Sequence, residues 1–376
     1  MLPHPGLPRL LPFLAGVLAL LPCLRPASAQ SALNWHPAAS LTVEGRGWPM
    51  PDTPFQRLPT HLREQVPPAV WDLSRSSAGI TVRFNTRADR VDIRWSLTSP
   101  SLAMPHMPAT GVSGIDLYLR DPGTRTWQFT QNVRPSRQHT NEATLRLGNP
   151  STPHECLLYL PLYNGVTQLE LGVDPAFDLA PAPDLPPDQR RPVVLYGTSI
   201  VQGGCASRPG LAYPAVLGRR LNRPIINLGF SGSGRMEPGV VQALTELDPA
   251  LFVIDCLWNL SGETPAEIEH RVTELVGILR RKHAQTPLLF IGQSNLRSDR
   301  HPTPATQAQE RAVQALIRSG VPALHLTPGH LLLGSDQEGT VDGVHPNDLG
   351  MMRHADILHP ILQALLPGAS PPPSRP

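Results

Sequence analysis

The chain has 376 residues, enough for two domains with real cores, and its 32 Lys and Arg nearly balance 30 Asp and Glu for a formal net charge of +2. With 16% of residues charged and no basic stripe, the composition excludes the electrostatic footprint of a nucleic-acid-binding protein. Proline is the outlier: 45 of the 376 residues, against roughly 5% in average proteins.

The first 29 residues read as a signal peptide. Arg9 supplies the positive start, Leu10 to Leu24 form an apolar run, and Ala27-Ser28-Ala29 is a small-x-small cleavage site before Gln30. The run falls short of the ~20 residues that span a bilayer, and no other membrane segment follows. The expected mature protein is therefore secreted or periplasmic, cleaved after Ala29. Three of the four cysteines then remain, Cys156, Cys205 and Cys256, in a compartment that permits disulfides. No C-x-x-C spacing is present, which argues against a zinc site, and no metal is expected.

Residues 30 to about 60 read as irregular and proline-rich, and from Trp71 to about Val173 the pattern is all-β. Val91-Asp92-Ile93-Arg94-Trp95-Ser96-Leu97 alternates apolar and polar as a half-buried antiparallel strand should. Ile80 to Phe84, Gly114 to Leu119, Thr126 to Phe129, Ala143 to Leu147, Leu157 to Leu160 and Thr167 to Val173 are further strands. Asp121-Pro122-Gly123 and Asn164-Gly165 are turn signals between them. Many short strands at this spacing predict a β-sandwich over residues 30–180, jelly-roll-like in kind, serving as scaffold or sugar-binding module. Residues 181–192 are expected to form a stiff proline-rich linker.

The rhythm then changes to strand, helix, strand, helix over 193–367. Strands are expected at Val193–Tyr196, Ile225–Leu228, Leu251–Ile254, Pro287–Ile291 and Ala323–Leu326. Helices are expected at Tyr213–Leu221, Glu237–Leu247, from Thr264 to about His283, from Thr303-Pro304 to Gly320, and Asn347–Leu366. Thr264-Pro265-Ala266-Glu267 is a capping box with proline at the first helical position. Such alternation implies a parallel sheet covered on both faces. The tail at 368–376, rich in proline and serine, is expected to be disordered.

Polar residues cluster after the strands. Ser199 follows the first, Gly229-Phe230-Ser231-Gly232-Ser233-Gly234 the second, and Asp255-Cys256-Leu257-Trp258-Asn259 the third, while Asp342-Gly343-Val344-His345 precedes the last helix. In a parallel sheet the segments after the strands emerge at one edge, where ligands bind. A hydroxyl, backbone N–H groups, a carboxamide, an imidazole and a carboxylate in one crevice fit acyl transfer. Ser199 would attack, His345 would carry the proton, and Asp342 would fix the imidazole tautomer. Ser199 N–H, Gly232 N–H and the Asn259 amide would meet the oxyanion. The glycine run does not fit G-x-G-x-x-G and no G-K-[ST] follows, so a nucleotide loop is not supported. Taken singly, Ser199 also reads as a helix cap, Asn259 as a turn residue, and Asp-x-x-His as chance among 14 histidines.

Residues 190 to 366 resemble the SGNH, or GDSL-like, hydrolase superfamily, with Ser199, Gly232, Asn259 and His345 as its four marker residues and Asp342 completing the triad. The segments 197–210, 227–232 and 341–348 are similar to one subgroup, and Gly114-Ile115-Asp116-Leu117-Tyr118 resembles the G-x-D-L-Y motif of the β-rich domain that precedes it. The resemblance implies a flavodoxin-like, three-layer α/β/α fold with a five-stranded parallel sheet, ester hydrolysis without cofactor or metal, and often removal of acetyl groups from carbohydrates. Thr198 departs from the aspartate of the G-D-S form, and Leu257 and Leu260 depart from the third block's usual glycine and aspartate.

Cys205 and Cys256 flank the crevice, and a disulfide between them is expected to pin the nucleophile loop against the Asn259 loop. Arg208 and Arg235 are candidates for contact with a polar substrate, or are solvated surface residues. The reading is an exported serine esterase acting on acylated small molecules or polysaccharides, with no nucleic-acid partner and no membrane association beyond the export signal. A lipase or thioesterase-like acyl hydrolase, and an inactive carbohydrate-binding protein, are the alternatives.

Overall fold

The computed structural model describes residues 1, 32–150, 152–294 and 301–367. The expected signal peptide, with its cleavage after Ala29, and the expected tail at 368–376 lie outside the described residues. In chain order the amino-terminal half runs β1 (Asn34–Pro37), β2 (Thr42–Glu44), α1 (Pro68–Ser74), β3 (Thr81–Thr86), β4 (Arg90–Leu97), α2 (Ala109–Val112), β5 (Ile115–Arg120), β6 (Trp127–Val133), β7 (Asn141–Arg146), β8 (His154–Tyr159), β9 (Val166–Val173) and β10 (Leu179–Pro181).

These strands pair antiparallel in two sheets, ordered β1-β9-β4-β7 and β10-β3-β8-β5-β6, with β2 added to β3. Period-two alternation sets the packing. In β4, Val91, Ile93, Trp95 and Leu97 are buried, while Arg90, Asp92 and Arg94 are exposed or half-buried. Val82 and Phe84 of β3, Ile115 and Leu117 of β5 and Leu171 of β9 join them in one apolar layer between the sheets. Two expectations need correcting. The stretch read as irregular holds β1 and β2, three- and four-residue edge strands too short to show an alternation. Trp71, read as the start of the all-β region, lies in α1, which Pro68 opens at its first turn.

The segment between β2 and β3 leaves the sandwich. Trp48, Met50, Leu58, Leu62, Val66 and Val70 insert into the core of the carboxyl-terminal half. That half runs α3 (Pro187–Arg190), β11 (Val193–Gly197), α4 (Ser199–Gln202), α5 (Tyr213–Leu221), β12 (Ile225–Gly229), α6 (Pro238–Leu244), β13 (Leu251–Asp255), α7 (Pro265–Arg280), β14 (Leu288–Ile291), α8 (Pro304–Arg318), β15 (Leu324–Thr327) and α9 (Asp348–Leu365). The strands pair parallel in the order β12-β11-β13-β14-β15.

Each central strand reads as a continuous apolar run because both faces are covered. Val194, Tyr196, Phe252 and Ile254 face the layer built by α6, α7 and α8, and Val193, Leu195, Leu251 and Val253 face α5 and α9. This is the three-layer α/β/α arrangement with a five-stranded parallel sheet, preceded by an antiparallel β-rich half. Helix starts follow their caps: the Thr264, Thr303 and Asn347 side chains accept from the backbone N–H groups of Glu267, Thr306 and Gly350. Strand order reverses at β11, which has β12 on one side and β13 on the other, so a crevice opens beyond their carboxyl ends. The described residues from Leu33 onward form one compact unit. Among them, no helix is long and apolar enough to cross a membrane.

Candidate active site

Ser199 stands one residue past β11, at the first position of the single-turn α4. Thr198 takes the cap position, its hydroxyl accepting from Ile200 N–H at 3.2 Å. An aspartate, which the resemblance leads one to expect at this position, could accept the same bond. The Ser199 residue is 8% exposed, so its hydroxyl meets the crevice and little else.

Ser199 Oγ lies 2.9 Å from His345 Nε2, and His345 Nδ1 lies 2.7 Å from Asp342 Oδ2. A carboxylate only accepts, so Nδ1 carries the proton and Nε2 turns its lone pair to the serine hydroxyl. The other carboxylate oxygen, Oδ1, accepts from Val344 N–H at 3.0 Å and His345 N–H at 2.8 Å. Gly343, at φ +88°, makes this tight loop possible, a conformation that side chains disfavour. Burial tends to raise the Asp342 carboxyl, but the hydrogen bonds from the His345 backbone and ring and from Val344 outweigh it, and the net shift is downward. Asp342 therefore stays ionised beside the imidazole. The loop leads directly into α9, capped by Asn347, so the helix holds the histidine in register.

The loop after β12 is braced from three sides. Phe230 N–H donates to Gly197 O at 2.9 Å, and Ser231 N–H to Gln202 Oε1 at 3.1 Å. Asn259 Nδ2 donates to Phe230 O at 3.3 Å and to Gly234 O at 3.2 Å. Asn259 thus spends its amide protons on holding this loop in the free site, a task its expected oxyanion role did not include. Gly232 has φ +69°, and a Cβ there would meet no protein atom within 4 Å. Its left-handed backbone angle favours glycine, and the space a Cβ would take is open.

Two of the expected roles are corrected. Cys205 and Cys256 are free thiols, not a disulfide. Cys256 continues the alternation of Phe252 and Ile254 and packs on one face of the sheet, while Cys205 packs on the other with Ala206 and Val201. They therefore belong to the two apolar layers on opposite faces of the sheet. Arg208 is not free for substrate. Its Nη1 donates to Asp116 Oδ2 at 2.8 Å and Tyr118 OH at 2.6 Å, and its guanidinium lies 3.7 Å from the centre of the Phe129 ring. Asp116, fully buried, also accepts from Gly210 N–H at 2.8 Å and Asn132 Nδ2 at 2.7 Å. Burial still leaves its carboxyl above the usual range despite these partners. The G-x-D-L-Y motif therefore fastens the segment that follows Ser199 to the sandwich. Arg235 alone stays close to the expected position, its Nε 3.3 Å from Gly232 O and its Nη1 3.7 Å from Glu263.

Other residues at this site carried no readable sequence signal. Arg57, 1% exposed, donates from Nη1 to Gly229 O at 2.5 Å, from Nη2 to Leu73 O at 2.6 Å and from Nε to Ser76 O at 3.1 Å. It lies 4.9 Å from the Phe230 ring centre, and burial lowers its pKa to about 9. It sits in a proline-rich stretch that looked structureless. Tyr163, between two strands of the sandwich, donates from its hydroxyl to Ser199 O at 3.4 Å. Gln202, fully buried, bridges the two halves through Leu162 O at 3.1 Å. His106 approaches His345 with ring centres 6.3 Å apart.

Comparison with known proteins follows the same division. Residues 190–363 match the GDSL-like lipase/acylhydrolase family, and residues 33–179 match the N-terminal region of SGNH-hydrolase-type esterases. A solved structure from Bacteroides ovatus, described as a GDSL-like lipase, is 33% identical, with a TM-score of 0.80 over 89% of this chain and 98% of its own. The salicylyl-acyltransferase SsfX3 of a tetracycline biosynthetic pathway shares the fold at 16% identity and TM-score 0.71, over 89% of this chain and 97% of its own. A family two carbohydrate esterase from Clostridium thermocellum, solved with cellohexaose, shares it at 13% identity and TM-score 0.56, over 76% of this chain and 92% of its own. No curated protein gives a significant match in a search by sequence.

Proposed function

Because the chain belongs to the GDSL-like lipase/acylhydrolase family of carboxylic ester hydrolases, we propose that it is an exported serine esterase removing acyl groups, chiefly acetyl, from carbohydrates. The observation that carries the mechanism is the continuous run Ser199 Oγ–His345 Nε2 at 2.9 Å and His345 Nδ1–Asp342 Oδ2 at 2.7 Å. Ser199 Oγ attacks the ester carbonyl carbon as its proton passes to His345 Nε2. Asp342 stabilises the resulting imidazolium without taking the proton itself. The carbonyl oxygen becomes an oxyanion, met by the N–H groups of Ser199 and Gly232. Asn259 joins them by giving up one of its two long bonds to the loop carbonyls, at 3.2 and 3.3 Å. Each such donor contributes about 3 to 4 kcal/mol of transition-state stabilisation.

Collapse of the tetrahedral intermediate breaks the ester C–O bond, and His345 returns the proton to the departing alcohol. Water then adds to the acyl-serine with His345 again taking a proton, and the carboxylic acid leaves as Oγ–H is restored. A carbohydrate alcohol is supported by the fold shared with the esterase solved with cellohexaose. Export rests on the amino-terminal segment ending at Ala29.

The test is hydrolysis of p-nitrophenyl acetate and p-nitrophenyl octanoate by wild type and Ser199→Ala, followed by a screen of acetylated polysaccharides. Activity surviving in Ser199→Ala removes the serine from the mechanism. Preference for the octanoate ester turns the reading to a lipase or thioesterase-like hydrolase. The hydrogen-bonded set weighs against an inactive carbohydrate-binding protein.

A further inference from the structure

The β-rich half reaches the crevice at a turn that the mechanism above does not use. Met104-Pro105-His106-Met107 closes on itself through Met104 N–H to Met107 O at 2.9 Å and Met107 N–H to Met104 O at 3.1 Å. Met107 is 2% exposed and Met104 half-buried, and both pack into the apolar layer that holds Cys205, Ala206 and Tyr213. The chain then enters α2, where Thr110 Oγ1 donates to Ser207 O at 2.6 Å. Leu162 N–H and Tyr163 N–H donate to Gly111 O and Val112 O at 3.2 and 3.1 Å. The turn is therefore held by its own bonds and by α2, which is tied to the β-rich half and, through Thr110, to the segment that follows Ser199.

What it presents is His106. Met104 and Met107 tuck inward while His106, like Pro105, is exposed, and its ring is tilted 36° to that of His345 with the centres 6.3 Å apart. That gap is too wide for the two rings to stack in contact. It leaves room beside the His345 ring for an oxygen atom hydrogen-bonded to a nitrogen of His106, at about 2.8 Å. The turn enters on the side of the sheet covered by α5 and α9, where His345 also arises. Of the proposed oxyanion donors, Gly232 and Asn259 belong to the loops held around Phe230, which packs on the other side, while Ser199 N–H opens α4.

We infer that His106 binds the alcohol half of the substrate and selects esters whose leaving group carries a hydroxyl next to the ester oxygen. The inference rests on the esterase reading above and names its substrate class more closely. The departing oxygen takes its proton from His345 Nε2 and so lies beside that ring. On a sugar or other vicinal diol, the neighbouring hydroxyl then falls between the two imidazoles. A neutral imidazole offers that hydroxyl one donor or one acceptor. An alcohol without the hydroxyl leaves His106 to water and gains nothing from it. The anchored turn costs little ordering on binding, so the hydrogen bond adds to discrimination.

The probes are trans-1,2-cyclohexanediol monoacetate and cyclohexyl acetate, which share acyl group and ring and differ in the one hydroxyl. Wild type is expected to prefer the diol monoacetate. His106→Ala is expected to reduce the ratio of the two kcat/KM values by about tenfold, the scale of one lost hydrogen bond. His106→Gln, which keeps a donor and an acceptor, is expected to retain part of the preference. A wild type with no preference, or a ratio unchanged in His106→Ala, overturns the inference, even if both esters are hydrolysed more slowly. Ser199→Ala separates the two readings: loss of all hydrolysis there, with an unchanged ratio in His106→Ala, refutes the role of His106 and leaves the serine mechanism standing.

Discussion

Replacing Asp255 by asparagine should stabilise the fold, and only above mildly acidic pH. Asp255 ends β13 with its side chain on the face of Leu251 and Val253, 5% exposed, and Oδ2 accepts a hydrogen bond from Tyr213 OH at 3.1 Å. Burial raises the carboxyl from 3.8 to about 6, with the Tyr213 bond pulling weakly the other way. At about 1.4 kcal/mol per unit, that shift corresponds to about 3 kcal/mol. The sign follows from proton counting. Between 3.8 and about 6 the folded carboxyl keeps a proton that the unfolded one has released. The folded state binds more protons there, so this group's contribution to stability falls as pH rises through the window and stays low above it. Asparagine is uncharged throughout and close in shape. Its advantage over wild type should be about 1 kcal/mol near pH 4.5 and approach about 3 kcal/mol near pH 7.5. Urea unfolding of both proteins at the two pH values measures this, because subtracting the variant cancels every other carboxylate. A wild-type-to-variant gap that does not change with pH, or a variant less stable at the higher pH, would refute the argument.

Asp342→Asn should lower kcat by about three to four orders of magnitude with an unchanged melting temperature, since it leaves the imidazole in the wrong tautomer on a half-exposed loop. Gly232→Ala should lower kcat and cost about 1 kcal/mol of stability, because its left-handed backbone resists a Cβ although space for one exists; unfolding and steady-state kinetics read the two effects separately. Arg208→Met should destabilise the protein by roughly 3 to 5 kcal/mol, because it strands the buried Asp116 carboxylate, and adding Asp116→Asn should recover much of the loss. Cys205, whose thiol burial pushes up to about 11, and the more deeply buried Cys156 and Cys256 should resist a thiol reagent at neutral pH in the folded protein. All three should react in denaturant without any reductant, whereas only one reactive thiol among them would restore the disulfide.

The parallel sheet was legible because each strand is buried on both faces, so its apolar run is unbroken and bounded by turn residues. The helix starts were legible for a local reason: Thr264, Thr303 and Asn347 each accept from a backbone N–H three residues on. Ser199, Gly232, Asn259, Asp342 and His345 stood out because strand ends in such a sheet share one edge, so position along the chain already carries position in space. The error over Cys205 and Cys256 arose at the same edge. Nearness in the topology says nothing about which face a side chain takes, and a single step along the alternation sends it through the sheet.

Arg57, Tyr163 and His106 were invisible for a different reason. Each acts across the gap between the β-rich half and the parallel sheet, and no spacing within either half encodes that contact. The separation of the halves in sequence conceals how much of the crevice is shared. Arg57 holds the carbonyl at the end of β12, Tyr163 reaches the carbonyl of Ser199, and Asp116 holds the segment after it. A parallel sheet expressed from Val193 onward would lose all three restraints and uncover the apolar layer that Trp48, Leu58, Leu62 and Val70 now fill. The β-rich half is thus a structural part of the site, bracing the Ser199 loop on the side it shares with the parallel sheet.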